Sequence, residues 1–419
     1  MASPQTAENR PDPGTGSRLT VTTSRFWRML PAGMRRRWWL FHPFDLVARH
    51  WPVFGAKRGL LVVRMDGIGD MVLFRGALDH YADVFGVARS DITVVGCRSW
   101  ASVAVHVFAD YRVIAIDEHA FARRPWYRFR VALKVRCLNA KIAVCDSYFR
   151  RALMADSLVW LSGARRSVVG LPYISEKTRP EYRYYLSQAT EIVTTGDYPT
   201  HEIVRHFRFL SALAGRALTP TPPKIAWREQ RPPLPPGSPY VVFNPGANEP
   251  GRRWPLANYL SLARRLLAKG YRIVFIGHAA ERTGLDAIAE FAREPGVIDL
   301  SGRTALPELM DLLKSAALVV TNDSGPAHLS IALGAPTVVV VGGGHFGCFV
   351  PYPPELTPAT ARFAYHVMEC YHCFWRCHKR TDDRETFPCV AAVPEEQVWA
   401  EAQDLLMRAG ARVVGTARP

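Results

Sequence analysis

Asp70 is the residue whose type and position most directly suggest chemistry. It ends the segment Arg64–Asp70 (RMDGIGD), which follows a run of aliphatic residues and contains two glycines. The glycines allow a tight turn and a close approach by a ligand. An acidic residue where a helix begins can cap that helix, or it can act as a general base; position alone leaves both interpretations open. The segment is not a dinucleotide fingerprint, because its third glycine position is Val72.

Two further segments are suited to phosphate. Asn244–Asn248 leads into Gly251–Pro255, which contains two adjacent arginines before a predicted helix. Small residues and arginines before a helix N-terminus suit a phosphate group, although an ordinary loop with solvated arginines fits as well. Thr321–His328 is the second segment, and its residues Ser324 and Gly325 can present backbone amides to a diphosphate. A lone histidine near a helix start, such as His328, is more often structural.

A cysteine cluster lies near the C-terminus. Two, three and eleven residues separate its four members in turn, which are Cys370, Cys373, Cys377 and Cys389. Four thiolates can bind structural zinc, but the spacing is not that of paired CxxC motifs, so buried thiols or a disulfide-capable pair are alternatives. Eight cysteines in 419 residues are too few for a disulfide scaffold, which favours a reducing compartment.

The elements that must position these residues alternate between strands and helices, which indicates parallel α/β sheets. Eight prolines in residues 220–239 interrupt the alternation and predict a stiff, extended linker that acts as a hinge. We therefore expect two doubly wound α/β domains, at 59–219 and 240–393, with a closing helix and tail at 394–419. Ligands of such sheets bind beyond the C-terminal strand ends, here in the cleft between the domains. The predicted strands are 60–64, 92–95, 113–116, 142–145, 240–243, 271–276, 318–321 and 337–341, and the predicted helices include 71–81, 256–268, 281–293, 306–314, 327–333 and 394–408.

Residues 1–58 form a basic, aromatic arm. They hold ten basic against three acidic residues, a large part of the formal charge of +16, and four of the 11 tryptophans. Residues 1–20 should be disordered, and 25–54 predict one or two short amphipathic helices with breaks at Pro31, Pro43 and Pro52. Tryptophan and arginine together suit an anionic membrane surface; an arm packed on the body is the alternative. No nucleic-acid motif accompanies the charge, so nucleic acid is not expected as a partner.

The combination of these segments resembles the lipopolysaccharide heptosyltransferases of glycosyltransferase family 9. The resemblance runs from about Gly59 to the closing helix and includes NPGA with RRWP, and LSGRT at Leu300–Thr304. NDSGPAH, followed by LGAP at 333–336, is its most specific part. The N-terminal extension of about 58 residues is not typical of the family, and Asp66-Gly67 replaces a commoner pair of small polar residues.

The resemblance implies a GT-B fold, with the acceptor on the N-terminal domain and the nucleotide sugar on the C-terminal one. It also implies inverting transfer without a metal or other cofactor, and it makes Asp70 the catalytic base. The acceptor side would include Arg64, Asp66 and Gly67. The implied donor-binding residues are Ala247, Asn248, Arg252, Glu281, Thr304, Asp323, Ser324, Gly325 and His328.

We therefore expect a cytoplasmic glycosyltransferase, peripheral on the inner face of the inner membrane. It would move a sugar, heptose from ADP-heptose by the resemblance, to a lipopolysaccharide core or related lipid-linked glycan. One alternative is another nucleotide-sugar enzyme of GT-B fold, such as an epimerase. The other is a non-catalytic protein that binds a glycan or a nucleotide sugar.

Overall fold

Two parallel six-stranded sheets organise the protein in the computed structural model, which describes residues 24–29, 31–278 and 285–415. The first sheet has the order β3-β2-β1-β4-β5-β6 and the second the order β12-β11-β10-β7-β8-β9. Both orders are the doubly wound arrangement, in which the chain reverses direction next to the first strand. The predicted fold class is confirmed. The strands are β1 Arg58–Arg64, β2 Ile92–Cys97, β3 Arg112–Ile116, β4 Ala140–Cys145, β5 Arg166–Gly170, β6 Glu191–Val193, β7 Tyr240–Asn244, β8 Arg272–Phe275, β9 Val297–Asp299, β10 Leu318–Asn322, β11 Thr337–Val341 and β12 Ala361–Tyr365.

Helices cover both faces of each sheet. The central strands β7, β10 and β11 are buried at every position, as expected for parallel strands that lie between two helical layers. The helices are α1 Arg25–Met29, α2 Arg36–Arg49, α3 Ile68–Leu78, α4 Tyr81–Phe85, α5 Ala101–Val107, α6 Glu118–Arg123, α7 Pro125–Cys137, α8 Ala155–Leu161, α9 Arg179–Leu186, α10 Glu202–Ala214, α11 Leu256–Leu267, α12 Leu285–Phe291, α13 Leu306–Lys314, α14 Gly325–Ala332, α15 Pro388–Ala391 and α16 Glu395–Gly415.

The proline-rich segment is docked on the second domain. It contains no helix or strand among the described residues from 216 to 239, as predicted. However, the backbone amide of Ile225 donates to the carbonyl of Ala332 over 2.9 Å, and the indole of Trp227 donates to Asp311 over 2.7 Å. The guanidinium of Arg228 also pairs with Asp311 at 2.6 Å. The segment therefore lies along α13 and α14 instead of spanning freely between the sheets, while the predicted domain boundaries stay predictions.

The helix α2 of the basic arm continues through Pro43, where we expected a break. A proline removes one helical hydrogen bond, but the packed face of α2 stabilises the helix on both sides of it. Trp38 and Phe41 are buried, and buried Asp45 pairs with Arg128 of α7 at 2.7 Å. The arm thus packs on the body along one face, as the alternative interpretation had it. Predicted disorder in residues 1–20 falls outside the described residues.

Nothing in the described part of the chain resembles a membrane span: none of its helices combines the necessary length with sufficient apolarity.

Candidate active site

The loops at the two chain-reversal points face each other. The loop after β1 leads into α3, and the loop after β10 leads into α14. The starts of these helices are in close contact: a Cβ on Gly325 would lie 3.6 Å from Cβ of Ile68, and one on Gly69 would lie 2.7 Å from Cδ2 of His328. The structure therefore brings the Asp70 segment and the NDSGPAH segment to one interface between the domains.

Asp70 is both a helix cap and a titratable group. Its carboxylate accepts a hydrogen bond from the backbone amide of Gly67 over 3.2 Å at the start of α3. The side chain is partly buried, and burial, together with the negative charge of Asp66, raises the pKa of Asp70 to about 7. A carboxylate with such a pKa is well matched to accepting a proton near neutral pH. The capping role and the base role are thus compatible.

A buried network lies below Asp70. Arg64, only 2% exposed, pairs with Asp66 at 2.9 Å and with Asp146 at 2.7 Å. His206 binds the other carboxylate oxygen of Asp146 at 2.8 Å, and the hydroxyl of Ser147 donates to Asp66 over 2.8 Å. Although burial opposes ionisation, His206 and Arg64 hold the pKa of Asp146 below its usual range. Arg64 therefore orients Asp66 from the buried side. Asp146 and His206 could not be expected here from the sequence, because they lie far from the segment Arg64–Asp70 in the chain.

Asn322 joins the loop after β7 to the loop after β10, the two segments that the sequence predicts to bind the donor. Its amide donates to the carbonyl of Pro245 over 2.8 Å, while its side-chain oxygen accepts from the backbone amide of Trp254 and from the hydroxyl of Tyr259, both at 3.0 Å. Asn322 is fully buried. It fixes the loop after β7 relative to the loop after β10, a function that its place in the NDSGPAH motif did not indicate.

The two adjacent arginines have different roles. Arg253 donates from Nε and Nη2 to the carbonyl of Ala247, over 3.1 and 3.0 Å, and so fixes the loop. The Nε of Arg252 is buried and has no hydrogen-bond partner among the described residues, and its guanidinium lies 4.7 Å from the ring centroid of Trp375. Arg252 also lowers the pKa of nearby Asp323, which burial raises overall. Arg252 therefore has, in the described part of the chain, a buried donor without a partner, while Arg253 fixes the loop and lines the neighbouring cavity.

The start of α14 is held by polar contacts. The hydroxyl of Ser324 accepts from the amide of Asn244 over 3.0 Å. His328 is buried, its Nδ1 lies 2.8 Å from the hydroxyl of Tyr352, and burial lowers its pKa to about 3. A neutral, buried imidazole contributes to the packing between the domains, so its predicted contact with the diphosphate stays a prediction.

A cavity of about 140 Å³ adjoins the loop after β7. It lies at the C-terminal ends of β7, β8 and β9, and Gly246, Arg253, Ile276, His278 and Ser301 are among its lining residues. Thr304 is partly buried three residues beyond Ser301 but does not line the cavity. Asn248 is exposed at the loop after β7. Glu281 lies outside the described residues.

The four clustered cysteines share one small, apolar cavity. All four are free thiols and line it together with Tyr371 and Trp375. Burial raises the pKa of Cys373 and of Cys389. Within the described ranges, no group of three or more His, Cys, Asp or Glu residues is arranged to hold a metal ion. The structure thus adds no support to the zinc alternative.

Comparison with known proteins agrees with this arrangement. Residues 174–374 match the family described as glycosyltransferase family 9 (heptosyltransferase). The chain is 36% identical over 125 residues to lipooligosaccharide heptosyltransferase 2 of Haemophilus influenzae, covering 29% of this chain and 34% of that protein. It is 34% identical over 176 residues to lipopolysaccharide heptosyltransferase 2 of Salmonella typhimurium, covering 41% and 48%. The matches span between about a third and a half of these relatives.

The fold is shared over a longer range. The structure of E. coli ADP-heptose lps heptosyltransferase II superimposes with a TM-score of 0.63 at 18% identity, covering 84% of this chain and 99% of that one. At this identity the likeness shows the fold, and the fold is GT-B. Residues 174–374, just under half of the chain, are thus similar to glycosyltransferase family 9, and the fold of the described chain is that of a GT-B protein.

Proposed function

We propose that the protein is an inverting glycosyltransferase that transfers heptose from ADP-heptose to a lipopolysaccharide core or related lipid-linked acceptor. The names of the matched relatives, which are heptosyltransferases of lipopolysaccharide and lipooligosaccharide, support the sugar and the acceptor class. The structural relative from E. coli is named for ADP-heptose, and this supports ADP-heptose as the donor.

The observation that carries the proposal is the position of Asp70 where α3 meets α14. A hydroxyl of an acceptor bound on the N-terminal domain would lie between this carboxylate and a donor bound at α14. Asp70 takes the proton from that hydroxyl as the oxygen attacks the anomeric carbon. The bond from that carbon to the diphosphate breaks on the opposite side, which inverts the configuration.

The departing nucleoside diphosphate gains negative charge at the donor-side loops. In the described part of the chain the Nε of Arg252 has no partner there, and the start of α14 at Ser324 and Gly325 presents backbone amides with the positive end of the helix dipole. Such preorganised donors stabilise charge that develops in the transition state. The cavity beyond Gly246 is then the place for the base and ribose of the nucleotide.

Substitution of Asp70 tests the proposal directly. We expect Asp70→Asn to bind ADP as the wild type does, because the donor-side residues are untouched and the amide oxygen can still accept from Gly67. Transfer should fall about 10²- to 10⁴-fold, since asparagine cannot accept the proton. Asp79→Asn is the matched control, because Asp79 follows the same helix at its other end. Isothermal calorimetry with ADP and a transfer assay with ADP-heptose measure the two effects.

The two alternatives make different predictions for the same variants. An epimerase of this fold would convert or hydrolyse the nucleotide sugar with no acceptor present. A non-catalytic binding protein would show no turnover in the wild type, and Asp70→Asn would have no phenotype. Full transfer activity in Asp70→Asn would contradict the assignment of the base.

We also propose that the acceptor is reached at an anionic membrane surface, on the inner face of the inner membrane. The outer face of α2 supports this, because Trp39 and Val47 remain exposed on the helix that begins with the exposed Arg36 and Arg37, although the opposite face is packed. Exposed tryptophan with arginine suits the headgroup layer. Flotation with vesicles of phosphatidylglycerol tests this part of the proposal.

A further inference from the structure

The segment Cys370–Cys377 of the second domain contacts the first domain through Phe374. The ring of Phe374 lies between those of Tyr173 and Tyr198, with centroid distances of 4.8 and 4.6 Å and interplanar angles of 29° and 24°. Tyr173 follows β5 and Tyr198 follows β6, so both belong to the first sheet's loops. Stacked aromatic rings at these distances attract one another beyond the area that they bury. Phe374 is therefore a wedge between the two domains.

The next residue, Trp375, faces the other way, toward the donor-side arginine. Its indole lies beneath the guanidinium of Arg252, with 4.7 Å between Cζ and the ring centroid. The indole also stacks on Phe387, with 5.4 Å between ring centroids and an interplanar angle of 24°. Because the Nε of Arg252 has no hydrogen-bond partner in the described part of the chain, the indole is a principal contact that orients the guanidinium.

The backbone of this segment is held in an unusual conformation. His372, Phe374 and Trp375 have φ angles of 68°, 55° and 60°, in the left-handed region that residues with a Cβ seldom adopt. Such conformations persist only where the surroundings enforce them, and they are concentrated at functional sites. Here the amides of His372 and Phe374 donate to the carbonyls of Gly343 and Gly344 over 2.7 and 3.0 Å.

The glycines after β11 form the groove that receives these rings. A Cβ on Gly344 would lie 2.1 Å from Cδ2 of Trp375, and one on Gly343 would lie 2.3 Å from Cδ1 of Tyr371. No other residue type fits at either position without displacing an aromatic ring. The sequence and the backbone thus agree in fixing the place of Trp375.

We propose that Trp375 is a positioning residue, which holds Arg252 where the leaving diphosphate forms, and that the Phe374 wedge couples this placement to the acceptor domain. The inference rests on the proposed function, because it assumes that Arg252 binds the diphosphate. It adds a residue that acts through the arginine and determines whether the guanidinium is preorganised. Preorganisation matters because an arginine already in place need not be ordered when the ligand binds.

Calorimetry with ADP on the full chain tests the role of Trp375. We expect Trp375→Leu to weaken ADP binding about tenfold, because it removes the desolvated cation–π contact with Arg252. Trp375→Phe keeps a ring and should stay within about threefold of the wild type. In the Arg252→Ala background, Trp375→Leu should cause no further loss, because the arginine it positions is already absent. Trp399→Leu is the matched control, since Trp399 faces Arg265 at 4.2 Å between α11 and α16, away from the site.

The outcomes separate this inference from the proposed function. If Arg252→Ala weakens ADP binding and Trp375→Leu does not, the positioning role is wrong and the donor site stands. If Arg252→Ala itself binds ADP as the wild type does, the donor assignment fails and the positioning role fails with it. Thermal unfolding checks that each variant is folded; should Trp375→Leu not fold, Trp375→Met, which is unbranched and fills the groove, replaces it.

Phe374→Leu tests the coupling between the domains. The wedge lies outside the donor site, so we expect ADP affinity within about twofold of the wild type and turnover at saturating donor reduced about tenfold through misplacement of the domains. This split between binding and turnover is not expected of a residue that only stabilises the fold. Wild-type turnover in Phe374→Leu would overturn the coupling.

Discussion

Asp70 shows how one side chain can cap a helix and still titrate near neutral pH. The hydrogen bond from Gly67 lowers the pKa of the carboxyl and Arg64 lowers it further, but burial and the charge of Asp66 outweigh both. The carboxyl of Asp70 thus lies between the buried network of Arg64, Asp66 and Asp146 and the interface of α3 with α14. Its protonation state is expected to govern turnover.

The rate of transfer should depend on pH through the protonation of Asp70. Because burial and Asp66 raise the pKa of Asp70 to about 7, the carboxylate is protonated at lower pH and cannot accept the acceptor's proton. We expect turnover to rise about tenfold per pH unit below pH 7 and to level off above it. A transfer assay between pH 5 and pH 9 measures this, and a profile that is flat from pH 5 to pH 7 would argue against Asp70 as the base.

The same pKa shift has a consequence for stability, with a definite sign. Between the pKa of an unfolded aspartate, near 3.8, and about 7, the folded protein retains a proton on Asp70 that the unfolded chain has released. The contribution of this group to stability is therefore lost as the pH rises through that window. Glu202, whose pKa burial raises to about 8, acts in the same direction. Urea unfolding of Asp70→Asn should show a smaller loss between pH 5 and pH 8 than the wild type; equal losses would contradict the shift.

At the residue scale, the sequence identified the segments better than the roles within them. The sequence predicts the places of Asp70 and Arg252, a few residues beyond the C-terminal ends of β1 and β7, while their roles in transfer stay predictions. Asn322 could not be distinguished from its polar neighbours, because its role depends on backbone atoms 68 to 78 residues away. The roles of Arg252 and Arg253, which are adjacent, depend on the direction of each side chain, which the spacing does not give.

At the element scale, α2 combines the two interpretations that its sequence left open. Trp38, Phe41, Asp45 and Ala48 recur at helical spacing and are buried against the body. Trp39 and Phe44 lie on the other side and are 44% and 39% exposed. The apolar surface extends to α7, where Trp126 is 67% exposed and stacks on Phe129. An exposed aromatic surface with arginines at its rim is typical of a site of contact with a membrane or another protein.

A pair of exposed tryptophans allows the membrane contact to be tested. We expect the double variant Trp39→Ser, Trp51→Ser to lose most of its flotation with phosphatidylglycerol vesicles, because both rings are available to the headgroup layer. Its unfolding free energy should fall by about 1 kcal/mol, because Trp39 lies edge-on to buried Trp38 with 4.8 Å between ring centroids and Trp51 is 45% exposed.

The neighbouring Trp38 is the control for this experiment. It is 0% exposed, so Trp38→Ala should destabilise the protein by about 3–5 kcal/mol. Undiminished flotation of the double variant would exclude this surface as the lipid contact. Strong destabilisation of the double variant would instead show that the exposed face also packs.

Among the elements, long apolar strands were predictable and short polar ones were not. β1, β7, β10 and β11 were found from their β-branched runs, because buried parallel strands are apolar at nearly every position. β6 and β9 have three residues each and include a glutamate and an aspartate, and β5 and β12 begin with or contain arginine. β6, β9 and β12 are edge strands and β5 lies next to β6, and only pairing with a neighbour already in place identifies these strands. The helix predicted at 71–81 is α3, which begins at Ile68 and ends at Leu78. It begins earlier than predicted because Asp70 caps it through the backbone amide of Gly67, so that Gly69 lies in its first turn.

At the scale of the whole molecule, the identical strand orders of the two sheets explain where the site lies. Each sheet reverses direction beside its first strand, and the loops after β1 and after β7 and β10 leave the sheets at those points. The alternation of strands and helices predicts doubly wound parallel sheets with ligands beyond their C-terminal strand ends, but not the strand orders. It did not predict how closely the two helix starts approach, because that distance depends on a glycine in α3 facing a histidine in α14.

Gly69 allows this close approach and provides the last prediction. A Cβ at this position would lie 2.7 Å from Cδ2 of His328 and 3.3 Å from its Nε2, and His328 is itself held by Tyr352 at 2.8 Å. Gly69→Ala must therefore displace α3 from α14, and with it Asp70 from the donor side. We expect turnover to fall by about tenfold to a hundredfold, the effect of misplacing reacting groups by about 1 Å. ADP affinity, measured by calorimetry, should fall less than turnover, because the substitution meets His328 directly but leaves Arg252 and the loop after β7 in place.

Gly76→Ala in the same helix separates this steric effect from the general effect of alanine. A Cβ on Gly76 would meet only Oγ1 of Thr221, at 3.6 Å, which is an ordinary contact. Alanine in a helix interior is more favourable than glycine by about 0.5–1 kcal/mol, so this variant should be as active as the wild type and slightly more stable. If Gly69→Ala and Gly76→Ala have equal turnover, the packing of α3 on α14 does not determine the position of Asp70, and the catalytic geometry must be set by another contact between the domains.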